Sequence, residues 1–148
     1  MKALLLISPF LILSLACNKD KFQTKPSIKV KSITNQVADP GTDVQVTLTY
    51  TDKEGDLGNG ELMYIVHRLN IKPIPGGGAG IDQPDTIRYT LPEFPDKSKG
   101  EIQVRIPYDF LNEDLNDNDT LQLKMAVRDM AGNASDTIQT GTIIARQN

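Results

Sequence analysis

From Val44 to Thr51 apolar and polar positions alternate without a slip. Val44, Val46, Leu48 and Tyr50 fall on one side; Gln45, Thr47, Thr49 and Thr51 fall on the other. A period of two, rich in β-branched residues, predicts a strand with one buried face. Six further runs can pair with it: Ile28–Ile33, Glu61–Asn70, Asp85–Leu91, Glu101–Ile106, Leu121–Asp129 and Asp136–Arg146. Ile87, Tyr89 and Leu91 share one face of their strand, as do Ile102, Val104 and Ile106, and Leu121, Leu123, Met125 and Val127. Glu61–Asn70 is partly apolar on both faces, which predicts a central position.

Turn chemistry separates the runs: Asp39-Pro40-Gly41, the acidic loop Asp52-Lys53-Glu54-Gly55-Asp56-Leu57-Gly58, a long Pro/Gly stretch over 71–84, and Met130 to Ser135. The polar segment 108–119 allows one helical turn at Tyr108–Leu111. No stretch sustains apolar residues at helical spacing. Seven short strands with turns about every ten residues predict an all-β fold, a single antiparallel sandwich over residues 27–148.

The first sixteen residues differ in kind. Lys2 precedes an almost wholly apolar run, Ala3 to Leu15, too short to span a bilayer of ~30 Å hydrocarbon as a helix. The run closes on Leu13-Ser14-Leu15-Ala16-Cys17, which resembles the lipobox of bacterial lipoproteins. The resemblance implies diacylglycerol on the Cys17 sulfur, cleavage after Ala16 and acylation, by palmitate or a similar chain, of the new amino group. It also implies retention at the outer membrane, because Asn18 stands where inner-membrane members carry Asp. Ordinary secretion is the alternative, since Ser14-x-Ala16 also reads as a small-x-small cleavage site. It would leave the chain's single cysteine as an exposed thiol. Residues 17–26 then form the lipidated N-terminus and a polar tether.

Composition narrows the partners. The net charge is −3 and the pI about 5.1, and no basic stripe is interleaved with aromatics, which argues against nucleic acid. Loss of Lys2 leaves nineteen acids against fifteen bases, so attraction to an anionic surface would come from lipid and not from charge. One cysteine permits no internal disulfide.

The run Ala126-Val127-Arg128-Asp129-Met130-Ala131-Gly132-Asn133-Ala134-Ser135-Asp136 resembles the last hairpin of bacterial immunoglobulin-like and fibronectin-III-like domains. That implies an Ig-like sandwich, without the strand Trp or cysteine pair of antibody domains. Such domains serve as spacers, adhesins and carbohydrate-binding accessories, so the fold assigns no function.

Strand parity places the loops at 52–60, 92–100 and 129–136 at one end with the N-terminus. Those at 34–43, 71–84 and 107–119 go to the other. The first end gathers Asp52, Glu54, Asp56, Asp129 and Asp136, a candidate Ca²⁺ cage of loop carboxylates. It is no EF-hand: Leu57 and Met63 occupy the sixth and twelfth positions counted from Asp52. Asp114-x-Asn116-x-Asn118 fails likewise, with Asp119 and Met125 there. The same Asp and Asn residues also make turns and cap their own backbone.

The second end carries a glycine-rich loop in which Ile74, Gly76, Gly77, Gly78 and Ile81 form either a partner-binding arm or a merely mobile segment. It is no phosphate cradle, having no Lys-Ser/Thr after it. His67 is the sole histidine and lacks companions for a zinc site. Of the aromatics able to form a sugar platform, only Tyr64, Tyr89, Tyr108 and Phe94 are candidates. These features favour a non-catalytic, lipid-anchored envelope domain that binds a protein or glycan or acts as a spacer. A calcium-stabilised adhesion module is the alternative, and a small carboxylate hydrolase comes last.

Overall fold

A computed structural model describes residues 25–74, 86–95 and 98–147. The alternation at 44–51 becomes β3 (Asp43–Thr51), in which Val44, Val46, Leu48 and Tyr50 are all buried. Around it the chain forms β1 (Ser27–Thr34), β2 (Val37–Ala38), β4 (Glu61–Arg68), β5 (Thr86–Thr90) and β6 (Lys99–Pro107). β7 (Asp119–Arg128), β8 (Ile138–Gln139) and β9 (Ile143–Ala145) complete it. Among the described residues the one helical element is a 3-10 turn, Tyr108–Phe110, where a helical turn is expected.

Two sheets face each other. One has the order β1-β3-β6, the other β2-β9-β7-β4-β5 with β8 paired to β7. Every pairing is antiparallel except β2 with β9. Numbered over the seven long runs, the first, second and fifth lie against the third, sixth and seventh, as in an immunoglobulin sandwich. The fourth run joins the third, which makes β4 central as its two-faced apolarity requires. The core interleaves β3 and β6 side chains with Leu62, Tyr64 and Val66 of β4 and Leu121, Leu123, Met125 and Val127 of β7. Each such side chain, fully buried, contributes about 1.5–3 kcal/mol.

Three expectations are corrected. The seventh run is broken into β8 and β9 at Thr140, where the hydroxyl, not the backbone carbonyl, accepts from Leu123 N at 2.9 Å, while Thr140 N still donates to Leu123 O at 3.0 Å. The third strand ends at Arg68, two residues early, since the Asn70 side chain turns to accept from Thr120 N and donate to Asn118 O. β2 is an added two-residue strand, held by Ile144 N donating to Gln36 O and Arg146 N to Ala38 O.

Candidate functional site

Parity continues past the strand ends, and this builds the site. Asp52 lies one inward step beyond Tyr50, and Asp129 one beyond Val127; both are buried, at 1% and 4% exposure. A carboxylate carried inward at the mouth of a core needs donors. Asp52 Oδ2 accepts from Asp56 N at 2.9 Å and Leu57 N at 2.8 Å, which folds the acidic loop back over its strand. Asp129 Oδ1 accepts from Asn133 N at 2.7 Å, and Oδ2 from Asn133 Nδ2 at 2.9 Å. Gly132 completes that turn at φ +91, a backbone conformation glycine adopts without strain.

The two loops are then tied together by Met130 N donating to Asp56 O at 3.1 Å. With Glu93 and Phe94 they line a shallow hollow that includes Gly55, Asp56, Asn59 and Met130. Lys25 pairs with Asp136 at 2.5 Å, so the chain enters the domain at this end. The predicted sharing of one end by these loops and the N-terminus is thus observed.

The five carboxylates do not form one cage. Glu54, Asp56 and Asp129 each bring an oxygen within 4.8 Å of the others. Asp136 stands apart, its side chain 92% exposed and paired with Lys25. Asp52 lies beneath the cluster as the loop's anchor; its Oδ1 is buried and accepts no hydrogen bond from the described residues. Burial raises the Asp52 carboxyl above its ordinary pKa and the Asp56 charge adds to this, while the Leu57 N–H opposes. Asp56 Oδ1 is likewise buried without a donor among the described residues.

Three converging carboxylates repel one another, and a hard divalent cation relieves that repulsion by taking their oxygens. Each Asp129 oxygen accepts one hydrogen bond and keeps a second lone pair, so Glu54, Asp56 and Asp129 could all be side-chain ligands. Backbone carbonyls and water would supply the rest of the six to eight oxygens Ca²⁺ needs.

The opposite end is closed by the same parity. Arg68 extends the inward series of β4 and Asp119 that of β7, and they meet with Nε 2.5 Å from Oδ1. Asp119 Oδ2 accepts from Glu113 N and Asp114 N, each at 2.7 Å. Asp114 Oδ1 accepts from Asn116 N at 2.9 Å, so the Asp114-Asn116-Asn118 run is a turn held to the Arg68 cluster. Asx-type hydrogen bonding lowers the Asp114 carboxyl pKa, chiefly through the Asn116 N–H and also through Arg68.

Of the glycine-rich loop, Ile74 is half-buried, while Gly76, Gly77, Gly78 and Ile81 lie outside the described residues. His67 sits half-buried in β4. Tyr64 and Tyr108 are core residues, Phe94 stacks on Tyr50, and Tyr89, 44% exposed, stacks on Tyr64. Cys17 and residues 1–24 also lie outside the described residues. No helix among the described residues is long and apolar enough to cross a membrane.

No family model and no curated protein sequence matches the chain. A solved structure with partial similarity is that of Spo0M, a sporulation control protein from Bacillus subtilis. The identity is 10% and the TM-score 0.40, over 84% of this chain and 50% of that one. The chain therefore spans about half the length of that structure.

Proposed function

We propose that the chain is a non-catalytic sandwich domain of a bacterial envelope, anchored in the outer membrane through lipid on Cys17 and presenting a protein- or glycan-binding or spacing module. The observation that carries this reading is the Leu13-Ser14-Leu15-Ala16-Cys17 junction, followed by a short polar segment leading to Lys25 at one end of the sandwich. Lipid at that end would keep the Lys25 end of the sandwich within tether reach, about 30 Å, of the bilayer. Two or more acyl chains hold stably where one does not.

Expression of the full chain in a bacterial host with labelled palmitate checks it. The label is expected on the parent and not on Cys17→Ala, which should move from the membrane to the soluble fraction. A parent chain that takes up no label would sink the anchor.

A second reading, a calcium-stabilised module, is supported by the Glu54–Asp56–Asp129 convergence and the undonated Asp56 Oδ1. Thermal melting of the mature chain in EDTA, in millimolar calcium and in magnesium tests it. A ligand at a hundred times its Kd adds about 2.7 kcal/mol, which raises the midpoint by several degrees. The rise is expected with calcium and is expected to vanish in Asp56→Ala. Superimposable curves in EDTA and calcium would return these residues to turn-making alone.

A further inference from the structure

We propose that the free edge of β6 pairs with β6 of a second copy, antiparallel about a two-fold axis through Gln103, to give a symmetric dimer with one continuous sheet.

The four sheet edges are not alike. At β1 the pairing with β3 slips between Val30 and Ser32, a bulge that twists that edge. β2 has two residues and β5 has five. β6 has nine, paired in unbroken register with β3 from Lys99–Thr51 to Pro107–Asp43, and with no other described strand on its far side. Alternate residues of such a strand aim N–H and C=O at the open edge, a template for another strand. Bulges, prolines and charged side chains normally blunt such an edge, and of these β6 carries within the strand only the outward charges of Lys99, Glu101 and Arg105. In β6 the inward positions are Ile102, Val104 and Ile106, and proline stands only at the end.

The outward side chains identify the occupant. Lys99, Glu101, Gln103 and Arg105 line the exposed face. An antiparallel copy centred on Gln103 sets Glu101 opposite Arg105 of the second copy, Arg105 opposite its Glu101, and Gln103 opposite Gln103. Both charge pairs are then attractive and the central amides can bond to each other, as directly opposed cross-strand pairs do. Glu101 and Arg105 are 50% and 76% exposed, with room for a second partner beside Lys31 and Asp43. Beneath them an apolar groove runs between β6 and β5, lined by Leu62, Tyr89, Leu91, Phe94, Ile102 and Val104. The copy's own Ile102 and Val104 would extend that apolar lining. The two-fold sends the two Lys25 ends in opposite directions. On one bilayer the joined sheet therefore lies with its strands along the surface, each nine-residue tether reaching at most ~30 Å.

The test is sedimentation and oxidative cross-linking of the full chain in mild detergent. The parent is expected to dimerise with Kd on the order of 10 µM, as suits a small interface. Glu101→Arg and Arg105→Glu singly turn both charge pairs repulsive and should each weaken the dimer about tenfold or more. The double variant restores attraction and should restore the dimer, although it leaves the bonds to Lys31 and Asp43 broken. A merely structural role for these residues predicts no such recovery. Gln103→Cys should cross-link well above the parent, because directly opposed Cα atoms fall within disulfide reach. Thr47→Cys, its neighbour on β3, should not, because two copies of it would stand ~14 Å apart. A chain that stays monomeric to ~100 µM, a double variant no better than the singles, or equal cross-linking at positions 103 and 47 would each overturn the proposal. So would a monomer whose β6 edge is occupied by a different protein.

Discussion

Alanine at Gly60 is expected to cost the domain about 3 kcal/mol or more and to lower its melting midpoint by roughly 10 °C. A Cβ there would lie 2.2 Å from Arg128 O and 2.9 Å from Leu57 O. Both obstacles are backbone, so no rotamer change relieves them. Gly60 N donates to Leu57 O at 3.0 Å and Gly60 O accepts from Leu91 N at 2.8 Å, which holds the residue in place from both sides. Relief therefore requires β4 to part from β7 where Glu61 pairs with Arg128. That is the base of the two loops carrying Glu54, Asp56 and Asp129, so any calcium-dependent rise in midpoint should shrink in the same variant. Thermal unfolding followed by circular dichroism, with and without calcium, reads both effects. A variant melting within about 2 °C of the parent would show that the close approach at Gly60 is not maintained in solution.

Arg68→Ala is expected to be comparably damaging, at about 3–5 kcal/mol, through a different mechanism. The guanidinium is 9% exposed and joins Asp119 at 2.5 Å, Asp114 at 3.5 Å and the Lys72 carbonyl at 2.8 Å. Its removal leaves two carboxylates in the closed end of the core without their cation. Lysine should rescue only in part, because a single ammonium cannot serve three acceptors spread along a planar fork. The pH dependence follows from the Asp114 carboxyl, whose folded pKa lies below its unfolded value. Its contribution is present at neutral pH and is lost as pH falls through the ordinary carboxylate value and then the lower folded one, below about pH 4. The Asn116 N–H is the larger cause of that lowering and survives in Arg68→Ala, so the difference in midpoint between parent and variant should narrow between pH 7 and pH 3 only by the lesser share that the Arg68 charge contributes. An equal difference at both values would assign the loss to packing of the arginine stem.

Alternation alone determined much of this protein. Val44 to Tyr50 and Leu121 to Val127 had to be half-buried strands, because a two-residue period with apolar side chains on one side has no other way to leave water. With antiparallel neighbours, loop ends followed by parity, and so the 52–60 and 129–136 loops could be placed together from the sequence. The inward positions of Asp52, Asp129, Arg68 and Asp119 were present in the same alternation, one step past the last apolar residue. They escape a reading that stops each strand where hydrophobicity stops.

The tertiary structure decided what parity cannot. Which of five nearby carboxylates converge depends on loop shape: the backbone N–H groups of Asp56 and Leu57 draw Asp52 inward, and Lys25 takes Asp136 away. The break between β8 and β9 depends on a hydroxyl of Thr140 finding Leu123 N seventeen residues away. Among the described residues β6 ends its sheet because β5 pairs with β4 and not with it. Periodicity is a local property carried by each residue's own side chain, whereas these three outcomes depend on donors, charges and neighbours that only the folded chain brings within reach.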